Sequence, residues 1–256
     1  MLTPDGGLTP GGWCEGFVDR RHPHTTVHAL LLGTPDLLGT ARRGTRLGLV
    51  AGKGFVPFGT DDPMVRPFLR YPVNHHLAQV LERAVVIGQV DHGPVTVEGA
   101  LFNGDEPERP SQWPLLRLPD GQWRFGDSRA LRVTVRPLTG LELQASVASI
   151  LSPEHRLAAG GRAKKASGSL RWQDAPSWGT RYMMAEWART SELEGTFVFL
   201  SLLAEGSISR GPWSAGYRFE ATDRPEEERL TDPFRSLRPH LENSILGVGR
   251  WTLHTV

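Results

Sequence analysis

Side chains that alternate at period two, in segments of about ten residues cut by Gly- and Pro-bearing turns, constrain this chain more than any other feature. Leu131-Arg132-Val133-Thr134-Val135-Arg136 alternates cleanly, and so does Leu141-Glu142-Leu143-Gln144-Ala145-Ser146-Val147. That period places successive side chains on opposite faces of a strand. Segments of this kind recur near 25–33, 44–53, 82–91, 94–103, 127–136, 140–150, 165–173, 179–190, 196–208, 212–222 and 243–253. Pro and Gly interrupt the chain too often for an amphipathic helix of four turns.

The connections alternate as well. Tight turns follow the odd segments: GTPDL at 34–38, DHGP at 91–94, PLTG at 137–140, DAPSW at 174–178 and SRGP at 209–212. Gly, Pro, Asp and Ser supply the backbone angles such turns require. The even segments lead into long polar connections at 54–81, 104–126, 151–164 and 223–241, with 191–195 the short exception. Short turns at one end and long loops at the other describe an up-and-down antiparallel β-barrel of the outer-membrane kind.

Strands of ten residues, tilted, match the hydrocarbon thickness of a bilayer. In that setting Arg132, Glu142, Glu98 and Arg218 must face inward, because a lipid-facing Arg or Lys at the midplane costs roughly 2–4 kcal/mol. Trp123, Phe125, Trp172, Trp178, Trp213 and Trp251 fall near segment ends, where an interfacial girdle would stand. A soluble sandwich or lipocalin-like barrel also alternates. It does not account for the one-sided alternation of loop length.

Charge and cysteine content narrow the partners. The net charge of +1 provides no global field for nucleic acid. A single cysteine, Cys14, leaves no disulfide framework and no Cys-x-x-Cys site. Thr196 to Ala204, the longest nearly uncharged apolar run, is about half the ~20 residues of a membrane helix. The chain carries no GxSxG, HExxH, P-loop or dinucleotide fingerprint, so the reading is a non-enzymatic protein.

Four motifs, in order along the chain, carry a resemblance. They are Asp19-Arg20-Arg21-His22-Pro23-His24, Asn74-His75-His76, Phe102-Asn103-Gly104-Asp105-Glu106-Pro107 and Ser152-Pro153-Glu154. Between residues 19 and about 230 the chain resembles an uncharacterised family of Gram-negative outer-membrane proteins often encoded among copper and other heavy-metal resistance genes. The matching family motifs are DRxHPHD, GHH, FNGREPDE and SPE. Thr25 stands where the family has Asp, and Leu77 to Glu82 replaces a segment that usually ends Asp-Ser-Thr-His. Gly52-Lys53-Gly54-Phe55-Val56-Pro57-Phe58-Gly59 is similar to a strand-end motif of phosphate-type porins. The resemblance implies a porin-like barrel in the outer membrane, with the lipid bilayer as its partner. It also implies a signal peptide and strands upstream of Met1. Strand parity agrees, since an odd set leaves one terminus outside the cell. The expectation is therefore an incomplete barrel over 25–256, preceded by an extracellular-side loop segment over 1–24, and short of strands at the N-terminus and at the C-terminal end as well.

Two constellations are candidates for function. His22, His24, His28, His75 and His76 lie in the expected extracellular loops, with Glu82 as an added oxygen donor. Imidazole suits copper and zinc, although loop histidines more often order their loops by hydrogen bonding. No cofactor is otherwise required. The expected inward row is Arg46, Glu98, Arg132, Arg136, Glu142, Gln144, Lys165, Arg171, Arg218, Glu220 and Arg250. Its arginine excess suits a wet pore of mild anion preference. The same charges, paired across strands, would instead fill a narrow barrel.

Overall fold

The computed structural model describes residues 27, 29–39, 44–60, 78–80, 82–104, 125–151, 161–195, 197–224 and 246–255. They form one antiparallel sheet of eleven strands, each hydrogen-bonded to its neighbours in sequence. The strands are β1 (Leu30–Thr34), β2 (Thr45–Gly54), β3 (Arg83–His92), β4 (Val95–Phe102), β5 (Ser128–Leu138) and β6 (Leu141–Leu151). There follow β7 (Arg162–Asp174), β8 (Thr180–Glu192), β9 (Phe197–Arg210), β10 (Trp213–Arg224) and β11 (Leu246–Thr255), with a 3-10 turn at Leu193–Gly195 between β8 and β9. Among the described residues β1 and β11 each have one strand neighbour.

The period-two segments are the strands, within a few residues. One departure lies at the start, where β1 begins at Leu30 and Val27 offers its carbonyl to Lys53 Nζ instead of joining the ladder. The first connection also differs from a tight turn. It runs from Pro35 to Gly44, and Leu37 N reaches back to Leu47 O at 2.7 Å. The hairpins β3–β4, β5–β6 and β9–β10 close with two residues each, using Gly93, Gly140 and Gly211 at positive φ.

One face of the sheet buries charged and polar side chains together with apolar ones, while the other leaves large apolar side chains exposed. On β8, Tyr182, Met184, Glu186, Ala188 and Thr190 are buried, while Met183, Trp187 and Arg189 between them are exposed. On β9, Ser201, Leu203 and Glu205 are buried and Leu200, Leu202 and Ile208 are exposed. The register carries this parity from strand to strand: Leu170 pairs with Leu143 and Ala185, and Ala185 with Ala204. Large exposed apolar side chains in such number are unusual on a soluble monomer.

A second correction concerns the connection after β2, expected as a long polar loop over 54–81. Residues 55–60 instead turn back over the buried face, and Val56 and Phe58 become core. They pack with Val80, Val85, Ala100, Phe102, Ala130, Ala148 and Ile150 near the long-loop end of the sheet. Ala78 joins Ala188 of β8 and Phe199 of β9 in a separate cluster. From Gly54 to Thr60 the chain spans at most ~21 Å, and a turn bonding Phe58 N to Val56 O at 2.7 Å shortens it. Six strand spacings across a flat sheet, from β2 to β8, are roughly 29 Å. Yet the Thr60 hydroxyl donates to Glu186 on β8. A sheet curled around this segment shortens the path and buries the inner face without a second layer.

Candidate functional site

The inner face divides along the strand direction. Its long-loop end holds the apolar cluster around Phe58, Phe102 and Ile150, with Arg83 and Lys165 buried beside it; its hairpin end is a band of charge. Tight turns place the band, because each hairpin fixes the register of the pair it joins. Arg46 on β2 approaches Asp91 on β3 at 3.6 Å. Asp91 Oδ1 accepts from Thr96 on β4, and Thr96 Oγ1 accepts from Arg136 on β5. Arg136 Nε donates to Glu142 Oε2 at 2.9 Å, while Arg171 on β7 holds Glu142 Oε1 at 2.9 Å. Farther round, Tyr182 and Arg218 share the carboxylate of Glu205. The band runs from β2 to β10 with alternating sign.

Above it lies the Glu98–Arg132 pair, bidentate at 2.6 and 3.0 Å. Arg132 Nη1 also donates to Gly59 O at 3.3 Å, and Gly59 N donates to Ser146 Oγ at 2.9 Å. The inward segment is thereby bonded to β5, β6 and, through Thr60, β8. Gly59 is required there: it stands at φ 72, and a Cβ would lie 1.7 Å from Ala78 O. Between the segment and β3–β5 is a cavity of about 170 Å³ whose walls include Phe58, Val80, Ile87, Glu98 and Arg132.

The Phe-Asn-Gly motif has a structural account. Phe102 and Asn103 are buried, and Gly104 N donates to Asp127 Oδ1 while its carbonyl accepts from Arg83 Nε. A Cβ at Gly104 would lie 2.0 Å from Leu151 O, so the motif ties the ends of β3 to β6 at close backbone approach.

The expected inward residues are placed as follows. Glu98, Arg132, Glu142 and Arg218 lie on the inner face in ion pairs, and Arg136 and Arg171 join them on Glu142. Gln144 donates to Glu142 Oε1 at 3.2 Å, and Lys165 is buried. Arg46 is half-exposed at the hairpin end. Arg250 is paired in register with Glu220, and both side chains lie outside the described ones. His22, His24, His28, His75 and His76 lie outside the described residues. Glu82 is buried at φ 42 with its carboxylate 3.3 Å from Lys53 Nζ. Among the described residues no three His, Cys, Asp or Glu side chains are grouped to hold a metal.

Sequence reasoning missed Asp91, Tyr182, Glu186, Glu205 and Thr60. Glu205 was within reach: folding the chain about Gly211 and Pro212 sets it opposite Arg218. Thr60 had no local signal, since its partner Glu186 is distant in sequence and approaches only through the curl of the sheet. No family model, curated protein or solved structure matches the chain.

Proposed function

We propose that this chain is a porin-like outer-membrane β-barrel offering a narrow, passive path to small ions or solutes. One observation carries the reading: charge is buried on the inner face while the outer face, between charged rims, is apolar and exposed. On β7 the outer row runs Lys164, Ala166, Gly168, Leu170, Trp172, Asp174, with charges only at its ends. Ten steps of ~3.3 Å give roughly 33 Å along the strand. At a tilt of 35–45° that is about 23–27 Å, the height of a lipid-facing band. A soluble lipocalin-like barrel would turn the same apolar row inward.

Arg181 supports the boundary at the hairpin end. It bonds Asp174 and lies 4.7 Å from the Trp172 ring centroid and 5.7 Å from that of Trp178. Aromatic rings with a cation at strand ends suit the headgroup layer.

Segment 55–60 and the paired charges narrow the interior. Carboxylates pair many of the inner cations, and the remaining excess of Arg and Lys, with Lys165 and Arg83 buried, favours a mild anion preference. The same filling favours, as the second reading, a surface barrel that does not conduct. Reconstitution in planar bilayers separates them: stepwise conductance supports the passage, and a membrane-inserted but silent protein supports the closed barrel. A copper or zinc role rests on the histidines alone. Calorimetry with copper or zinc on His24→Ala and His75→Ala tests it, and unchanged affinity in both ends it.

A further inference from the structure

Every cation of the inner band whose pairing is described above meets a carboxylate, whereas a group on the outer face does not. Arg129 on β5, Lys164 on β7 and Arg189 on β8 are exposed, and none has an ion pair among the described residues. Arg129 and Lys164 are both in register with Ser149 on β6, so they stand about 10 Å apart across two strand spacings. Lys164 pairs with Ser191, which puts Arg189 on the diagonal, roughly 7–8 Å away. Arg162 completes the group. Its guanidinium donates to Ser149 Oγ at 3.0 Å and to the Asp127 carbonyl at 3.4 Å, both uncharged acceptors. The nearby Asp127 carboxylate accepts from Gly104 N and Ser128 Oγ through Oδ1.

The cluster sits where the apolar outer face ends on the long-loop side. Leu131, Val147 and Trp187 come next to Arg129, Ser149 and Arg189 on the same face of their strands, and Leu200 lies directly beside Arg189. Exposed cations converging above a bare apolar face match an amphiphile with a phosphate head and acyl tails, because guanidinium and ammonium groups bind phosphate oxygens and leave the tails on the sheet. We infer that Arg129, Arg162, Lys164 and Arg189 bind the phosphate headgroup of a membrane lipid at the long-loop rim. The site rests on the membrane reading above.

Two measurements on the full chain keep the two apart. Vesicle flotation reports insertion, and native mass spectrometry from detergent reports retention of phosphatidic acid against phosphatidylcholine. The wild type retains phosphatidic acid at least tenfold more tightly, and R129S/K164S/R189S loses that preference while R210S, on the opposite rim, keeps it. Should the triple variant not fold, K164S and R189S each lower the preference by roughly fivefold. Equal retention by wild type and variants overturns the site while insertion stands. Displacement by millimolar inorganic phosphate overturns it in favour of a free-anion site. Failure to float overturns the membrane reading, and the lipid site with it.

Discussion

Glu205 on β9 and Arg218 on β10 stand opposite each other with 0% and 4% of their side chains exposed. Arg218 Nε donates to Glu205 Oε2 at 2.6 Å, and the Tyr182 hydroxyl donates to Oε1 at 2.6 Å. A buried pair of this kind is stable only while both charges are present, because removing one strands the other away from water. Glu205→Leu is expected to cost about 3–5 kcal/mol. The double change Glu205→Leu with Arg218→Met removes both charges and should cost less than the single one. Urea titration of refolded protein measures both; a double variant weaker than the single one would contradict the account.

Gly59 sets the inward turn. Gly59→Ala places a methyl against Ala78 O and forces an L-residue to a positive φ, a strain of order 1–3 kcal/mol. The expected result is a displaced segment, with loss of the bonds from Arg132 to Gly59 O and from Gly59 N to Ser146. Conductance should rise relative to wild type. A variant with unchanged stability and unchanged conductance would remove the segment from any role in narrowing the interior.

Lipid exposure of the outer row is testable by depth. Leu170 lies midway along β7, and Leu138 lies beside the β5–β6 turn; both are exposed. In vesicles, Leu170→Arg should cost about 2–4 kcal/mol and Leu138→Arg about 0–1. Equal small costs at the two positions would mean that water covers both.

Glu142 bonds both Arg136 and Arg171, and its single charge offsets one of theirs. Glu142→Gln leaves two uncompensated cations at the hairpin end of the interior. If solutes pass there, the reversal potential in a salt gradient moves toward anion selectivity. No movement in a conducting Glu142→Gln protein would place the path elsewhere.

Much of this architecture is legible in the sequence. Gly93, Gly140 and Gly211 mark the two-residue turns, and the alternation around them sets the parity of each strand, so Arg132, Glu142 and Arg218 were assignable to one face. Partners across a hairpin are legible too, as for Glu205 and Arg218, because a two-residue turn leaves one register. Partners across a long loop are not. Glu98 and Arg132, or Glu142 and Arg171, are joined by connections whose length does not set an alignment; the ladder alone decides it.

Local periodicity therefore determined the strands, their order and which side chains share a face, since each depends on backbone geometry within a few residues. The tertiary structure decided the rest. Phe58 and Val56 read as loop until the curl of the sheet brings Ala130, Ile150 and Phe102 around them. Thr60 meets Glu186 because curvature brings β2 and β8 within reach of one short segment. Arg129, Lys164 and Arg189 become one site only when three strand registers align them. Such contacts depend on where distant strands come to lie, which no short stretch of sequence encodes.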